Sequence, residues 1–432
     1  MLFSATSIVD PVGRIFSYQD RIFRTIQCKK SEELYRELLQ QSYFSLLCEK
    51  GLIDSWISDD IGLPGIDLIL EHKKLAFPVH PAEMTILSIW TSVKMLVTLE
   101  QALIERDLQL KDSHPWNLMF DEGKPVYIDF GSVVRLSQFC TGWYEELKRF
   151  YLIPLWIHKV YGEKLSQEYR REHLKGFGQL FISKHLINDC HFPQPIKPAS
   201  DKATIFQLLN EIEVWLDSFS LKAEPQKWSQ YQQSGDTSDP LIPVSDKHKF
   251  VYQMLVNLKP KTVLDMAANK GFYSEVAARL GAVVICFDNE EFNVDACNEL
   301  AKTKNLNITS VLLDFLHPNP ASGLGLLFPD SFSRFNADCI MALGIIHHIC
   351  IGLGIPLSTF VHILLSYKPS SIIIEFVSDN DVHVLQWKKN APRDYSLSGM
   401  IDMFTSAGYK LIADMPLNHD GVDRTMLAFH KD

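Results

Sequence analysis

"VLDMAANKGFYSEVAARLGAVVICFDNEE", Val263 to Glu291, decides how the second half of the chain is read. A short apolar run ends in small residues, a helical segment from Tyr273 to Leu280 follows, and a second apolar run, AVVICFD, closes on an acid. That order is a strand, a turn, a helix and a strand. Small side chains at Ala267, Ala268 and Gly271 let a ligand come close to the main chain at the turn. Asp265 ends the first strand, Asp288 the second, and Asp314, in VLLDF, the third. One acid after a strand is as often a helix cap or a loop residue. Three in succession favour a nucleoside that carries an amino acid: Asp265 for the amino group, Asp288 for two ribose hydroxyls, Asp314 and Phe315 for an adenine amino group and its ring. The G-x-G-x-x-G fingerprint is absent, so no pyrophosphate cradle is expected.

Working outward, ITSVLLD, ADCIMAL and SIIIEFV are further apolar runs, separated by helical segments such as Val294 to Lys304. Continuous apolar strands alternating with helices predict an α/β fold whose parallel sheet is covered on both faces. The last two runs, YKLIADM and TMLAFHK, are joined by PLNHDGVDR, too short for a crossover helix, so they should pair antiparallel. A Rossmann-like sheet ending in an antiparallel hairpin separates a methyltransferase-type sheet from a dinucleotide dehydrogenase.

Leu264 to Gly271, Asp288, Asp314 to Pro320, Ala342 to His348 (ALGIIHH) and Ile374 to Val377 (IEFV) resemble the successive motifs of class I S-adenosylmethionine-dependent methyltransferases, closest to a bacterial group of them. The likeness covers about the last 185 residues. It implies S-adenosylmethionine as cofactor, held by Asp265, Ala267, Asn269, Gly271, Asp288, Asn289, Asp314, Phe315 and Leu343. Ala267 stands where the family usually has glycine, which bears on affinity.

His347 and His348 follow the strand ADCIMA, on the rim where an acceptor would meet the methyl group. Histidine titrates near neutrality and suits a general base; the plainer reading is that one of the two caps or packs the loop. Glu375 lies near the same rim and is expected to orient an acceptor or to pair with a base such as Arg393. No Asn-Pro-Pro-Tyr motif for nucleic-acid amino groups is present.

The first half contains "LQLKDSHPWNLMFDEGKPVYIDFGSVV", with Asp112 and Asn117 in a D-x-x-x-x-N spacing and Asp129 opening D-F-G. This resembles the catalytic and metal-binding loops of protein kinases and aminoglycoside phosphotransferases. The resemblance implies that Asp112 would accept a substrate proton while Asn117 and Asp129 held magnesium on ATP. The pattern departs from the family in having no glycine-rich loop and no V-A-I-K lysine; Lys29 or Lys30, after GRIFSY and RIFRTI, is the nearest substitute. The reading is a reduced, degenerate α+β kinase-like domain that shapes the acceptor site, with helical segments Trp143 to Tyr161 and Ala203 to Phe219. Trp90, Trp116, Trp143 and Trp156 are read as core.

A Gln-, Ser-, Asp- and Pro-rich stretch, Lys222 to Asp246, separates the halves, giving expected domains 1–235 and 236–432. Composition is that of a folded globular chain, and a net charge of −10 implies no broad cationic face for duplex nucleic acid or anionic membrane. The 8 cysteines include no C-x-x-C pair, so reduced thiols are expected. No signal peptide or long apolar span is seen, and a cytoplasmic protein is the default. The leading expectation is a methyltransferase acting on a small-molecule, glycan or other non-nucleic-acid acceptor. A phosphotransferase or bifunctional enzyme using Mg-ATP is the rival, and a non-catalytic cofactor-binding scaffold the third. Acceptor identity and oligomeric state are not written in any motif.

Overall fold

The computed structural model of the chain describes residues 2–4, 7, 10–174, 191–195, 201–219, 221 and 239–431. It divides into two compact units, one of Met1–Asp121, Pro125–Lys222 and Ala321–Phe328, the other of Glu122–Lys124, Ala223–Pro320 and Pro329–Asp432. The boundary expected near Gly235 lies outside the described residues, as does Cys190.

The second unit is built on seven strands: β1 (Thr262–Met266), β2 (Val283–Asp288), β3 (Ile308–Leu312), β4 (Cys339–Ala342), β5 (Ser371–Val377), β6 (Lys410–His419) and β7 (Val422–His430). Their order is β3-β2-β1-β4-β5-β7-β6, with β1 to β5 parallel and β7 antiparallel to both β5 and β6. The α/β sheet with a terminal antiparallel hairpin, expected from the spacing of the apolar runs, is the observed one. The hairpin strands extend through PLNH and VDR, leaving a turn at Asp420 and Gly421. Every residue of β3 and β5 is buried, as expected of strands covered on both faces, and that burial takes in Thr309, Ser310 and Glu375 as well as the apolar side chains. The outer strand β6 is the opposite case. It carries Lys410, Pro416 and a register shift between Leu411 and Ala413, features that blunt an exposed sheet edge.

Helices α1 (Asp246–Leu258), α2 (Phe272–Arg279), α3 (Glu291–Lys304), α4 (Leu357–Ser366) and α5 (Leu397–Ser406) accompany the sheet. Ser245 starts α1 by accepting from the His248 N–H at 3.2 Å, a side-chain cap for an otherwise orphaned donor. The third helix begins at Glu291, not at Val294 as its apolar spacing suggests. The Asp288 carboxylate accepts from the Glu290 N–H at 3.0 Å, which turns the chain into the helix directly after β2. Parallel pairing aligns Met266 with Phe287 and with Ala342, and Asp288 with Leu312, so these strand ends share one rim.

The first unit carries a five-stranded antiparallel sheet in the order Leu2–Phe3, Ile15–Tyr18, Arg21–Ile26, Leu68–His72, Ser55–Ile57. A helix, Lys29–Gln40, follows the third of these in sequence, and a largely buried helix, Ile86–Ile104, anchors the helical part. Segment Trp143 to Tyr161 is helical through Thr141–Leu147, a π-helical turn and Ile153–Tyr161, and Lys202–Asp217 covers the later one. Trp143 is fully buried, and Trp90 and Trp156 pack on the same core. Trp116 departs from the expectation: half-buried like Trp90 and Trp156, it packs not on that core but against His80, with ring centroids 4.8 Å apart.

Candidate active site

After β1 the chain passes through two left-handed non-glycine residues, Ala267 at φ 53° and Asn269 at φ 51°, then Gly271 at φ 81°, before α2 begins. The turn is held by the end of β2. The Ala268 N–H donates to the Phe287 carbonyl and the Asn269 N–H to Asp288 Oδ2, each at 3.0 Å. A cleft of about 600 Å³ opens here, where the strand order reverses between β1 and β4, the position at which doubly wound sheets take ligands.

Of the residues expected to hold a cofactor, Asp265, Ala267, Asn269, Asp288, Asn289, Asp314, Phe315 and Leu343 line this cleft. Gly271 does not. A Cβ there would stand 2.9 Å from Cys297 Sγ, so the glycine is required by the approach of α3 to the back of the turn, not by a ligand.

The acids differ in surroundings. Asp265 is buried and accepts from Ser274 Oγ at 2.6 Å. Burial pushes its carboxyl up to about 7, against the Ser274 hydrogen bond and the Lys247 charge. Asp288 is also buried, and desolvation raises it although two backbone N–H groups and Asn293 donate to it. Asp314 is half-exposed, accepting from the Leu316 N–H at 2.8 Å and meeting His317 Nδ1 at 3.0 Å. Phe315 stacks on Phe360 with ring centroids 4.9 Å apart, a pairing that contributes about 0.5–1.5 kcal/mol beyond burial and fixes the ring at the cleft wall.

The two histidines part company. His348 lines the cleft. His347 is buried behind it with its ring 4.0 Å from that of His348, and it stacks on Trp387 at 5.5 Å. Burial pushes the His347 imidazole down to about 2, which favours its neutral form. Glu375 is fully buried on β5, and its partners are Lys247 Nζ at 2.6 Å and Arg424 Nη1 at 3.3 Å; the expected Arg393 is exposed. Burial works to raise its carboxyl, but the two cations outweigh it and hold the group below the ordinary range. Lys247 and Arg424 line the cleft and were not picked out from sequence, because nothing local marks them. The donor set fits S-adenosylmethionine: buried acids for an ammonium and a diol, and an apolar slot beside Phe315 for a base.

In the first unit, Asp112 Oδ1 accepts from Asn117 Nδ2 at 2.7 Å and from the Tyr127 hydroxyl at 3.0 Å. Asp129 Oδ1 accepts from Arg24 Nη2 at 2.7 Å and from the Gly131 N–H at 3.1 Å. Arg24 is buried and also meets Asp10 at 3.1 Å. It lies so close to Gly131 that a Cβ there would be 1.7 Å from Nη1. Lys29 and Lys30, the expected lysine substitutes, are exposed at the start of their helix, so the cation beside Asp129 is Arg24. A fixed guanidinium against Asp129 does not fit magnesium coordination by Asn117 and Asp129.

No family model matches the chain. Nodulation protein NoeA of Rhizobium meliloti (strain 1021) is 26% identical over 418 residues, 87% of this chain and 85% of its own length. Among solved structures, magnesium protoporphyrin IX methyltransferase (ChlM) from Synechocystis PCC 6803 with bound SAM is similar at 14% identity and TM-score 0.33, over 47% of this chain and 90% of its own. The bifunctional kinase-methyltransferase WbdD is similar at 16% identity and TM-score 0.33, over 51% of this chain and 45% of its own. The fold assignment rests on the strand order itself. Among the described residues, no helix is long and apolar enough to cross a membrane.

Proposed function

We propose that the chain is a methyltransferase that moves the methyl group of S-adenosylmethionine to a small-molecule, glycan or other non-nucleic-acid acceptor. The observation that carries this reading is the cleft at the β1/β4 reversal, with Asp265, Asp288 and Asp314 at the C-terminal ends of three consecutive strands around it. In this reading Asp265 takes the cofactor's ammonium, Asp288 the ribose hydroxyls and Asp314 the adenine amino group. Phe315 and Leu343 flank the ring, Ala267, Asn269 and Asn289 border the cavity, and Gly271 shapes the turn from behind. The bound cofactor supplies an electrophilic methyl group. The chain aligns an acceptor with it, and alignment alone accounts for much of such a rate. His348, on the cleft wall, is the side chain positioned to take the acceptor's proton; His347 supports it by stacking.

The first half of the chain, residues 1–235, is in this reading a kinase-like block that has lost phosphoryl transfer and serves the acceptor side, with the methyltransferase in 236–432. The pairing of Arg24 with Asp129 supports this over a phosphotransferase. The likeness to one nodulation protein along most of both lengths supports a single working protein. Its place of work is the cytoplasm. Ultraviolet irradiation of the intact protein with methyl-tritiated S-adenosylmethionine tests the reading. Label within residues 239–431 that excess S-adenosylhomocysteine suppresses is expected; no label, or label that the competitor leaves unchanged, contradicts it.

A further inference from the structure

Glu375 stands in the middle of β5, opposite Met426 of β7, and its burial fixes the carboxylate in the sheet. One oxygen receives Lys247 Nζ at 2.6 Å and the other Arg424 Nη1 at 3.3 Å, while Arg424 Nε reaches Asp381 at 3.0 Å. Lys247 leaves the first turn of α1, and its ammonium also lies 5.6 Å from the Tyr273 ring centroid. A long, flexible side chain is thereby held in one place, with 23% of its surface exposed, on the wall of the cleft that Asp265 also lines.

Lys247 and Asp265 put a cation and an anion in one cleft, near enough for the Lys247 charge to act on the Asp265 carboxyl and favour its ionised form. An amino-acid group is a zwitterion whose two charged ends sit on one carbon. A site for it needs one partner of each sign side by side, since charge-assisted hydrogen bonds to both ends are stronger than neutral ones. A purely structural ion pair between α1 and β5 would need no second acid on the cleft wall.

Resting on the cofactor reading above, we propose that Lys247, positioned by Glu375, binds the carboxylate of the cofactor's amino-acid group while Asp265 binds its ammonium. Glu375 acts through Lys247 and is a positioning residue. Lys247 is then the residue that separates ligands carrying the amino-acid group from those with the nucleoside alone.

The test titrates the intact protein with S-adenosylhomocysteine and with methylthioadenosine, which keeps the nucleoside and thioether but lacks the amino-acid group. Lys247→Met should weaken the first by about tenfold to a hundredfold and leave the second within about twofold. Lys247→Arg should recover most of the loss, and Glu375→Gln should show the same ligand selectivity in weaker form. Thermal melts of each variant report folding, and the arginine variant keeps the charge should the methionine variant fold poorly. Equal loss for both ligands, or loss for neither, overturns the proposal while leaving the cofactor reading intact. If the parent protein binds neither ligand, the cofactor reading itself fails and the proposal fails with it.

Discussion

The Asn269 N–H donates to Asp288 Oδ2 at 3.0 Å, so the acid that ends β2 also ties down the turn that follows β1. Asp288 thus has two tasks, one toward the cleft and one toward the fold. Asp288→Ala should weaken S-adenosylhomocysteine binding by about 1–3 kcal/mol and lower stability by a similar amount, because the turn loses a charge-assisted hydrogen bond. Calorimetry and denaturant melts read the two separately. Undiminished affinity would mean that the carboxylate serves the turn alone.

The turn itself makes a paired prediction. Ala267 sits at φ 53°, where a side chain costs about 1–2 kcal/mol, so Ala267→Gly should keep or raise both stability and affinity. Gly271→Val should do the reverse, costing about 2–3 kcal/mol in a melt: φ is 81°, and the new Cβ would meet Cys297 Sγ at 2.9 Å. A large loss from Ala267→Gly would show that the turn does not hold its left-handed geometry in solution.

Asp265 should make both stability and binding depend on pH. Its carboxyl is raised from 3.8 to about 7 in the fold, so the neutral form contributes stability that is fully present below the lower value and lost as pH rises through the upper one. Relative to Asp265→Asn, the parent should lose stability steadily between about pH 4 and about pH 7. A bound ammonium favours the carboxylate, so S-adenosylhomocysteine should displace a proton near about pH 6.5. The measured enthalpy should then change between phosphate and Tris buffers in the parent but not in the variant. An enthalpy independent of buffer in the parent contradicts the assignment.

The strand ends were legible because a parallel sheet covered on both faces writes its strands as apolar runs, and Asp265, Asp288 and Asp314 punctuate them. The partners of Glu375 were not, since Lys247 and Arg424 lie 128 and 49 positions away in sequence and no periodicity links them to it. Arg24 and Asp129, 105 positions apart, were hidden for the same reason. Which of two adjacent histidines faces the cleft depends on the π-helical turn at His348–Gly352, and the letters "HH" carry no mark of it. Gly271 was singled out correctly as a special position, but its cause lies in Cys297 of α3, a contact that only folding creates.

In the first unit, Asp129→Asn should remove one of the two carboxylates beside buried Arg24 and destabilise the protein by about 1–3 kcal/mol in a denaturant melt. Its affinity for S-adenosylhomocysteine should stay that of the parent. A catalytic Asp129 would instead leave stability intact and abolish magnesium-dependent phosphoryl transfer, which a labelled-ATP assay of parent and variant would expose.

Calorimetric titration of the intact protein with S-adenosylhomocysteine, beside ATP with magnesium, tests the central claim most directly. The account predicts saturable binding of the first at one site per chain, sensitive to Asp288→Ala, and no binding of the second. Binding of Mg-ATP alone, lost on Asp112→Ala, would contradict it and make the first unit the working enzyme.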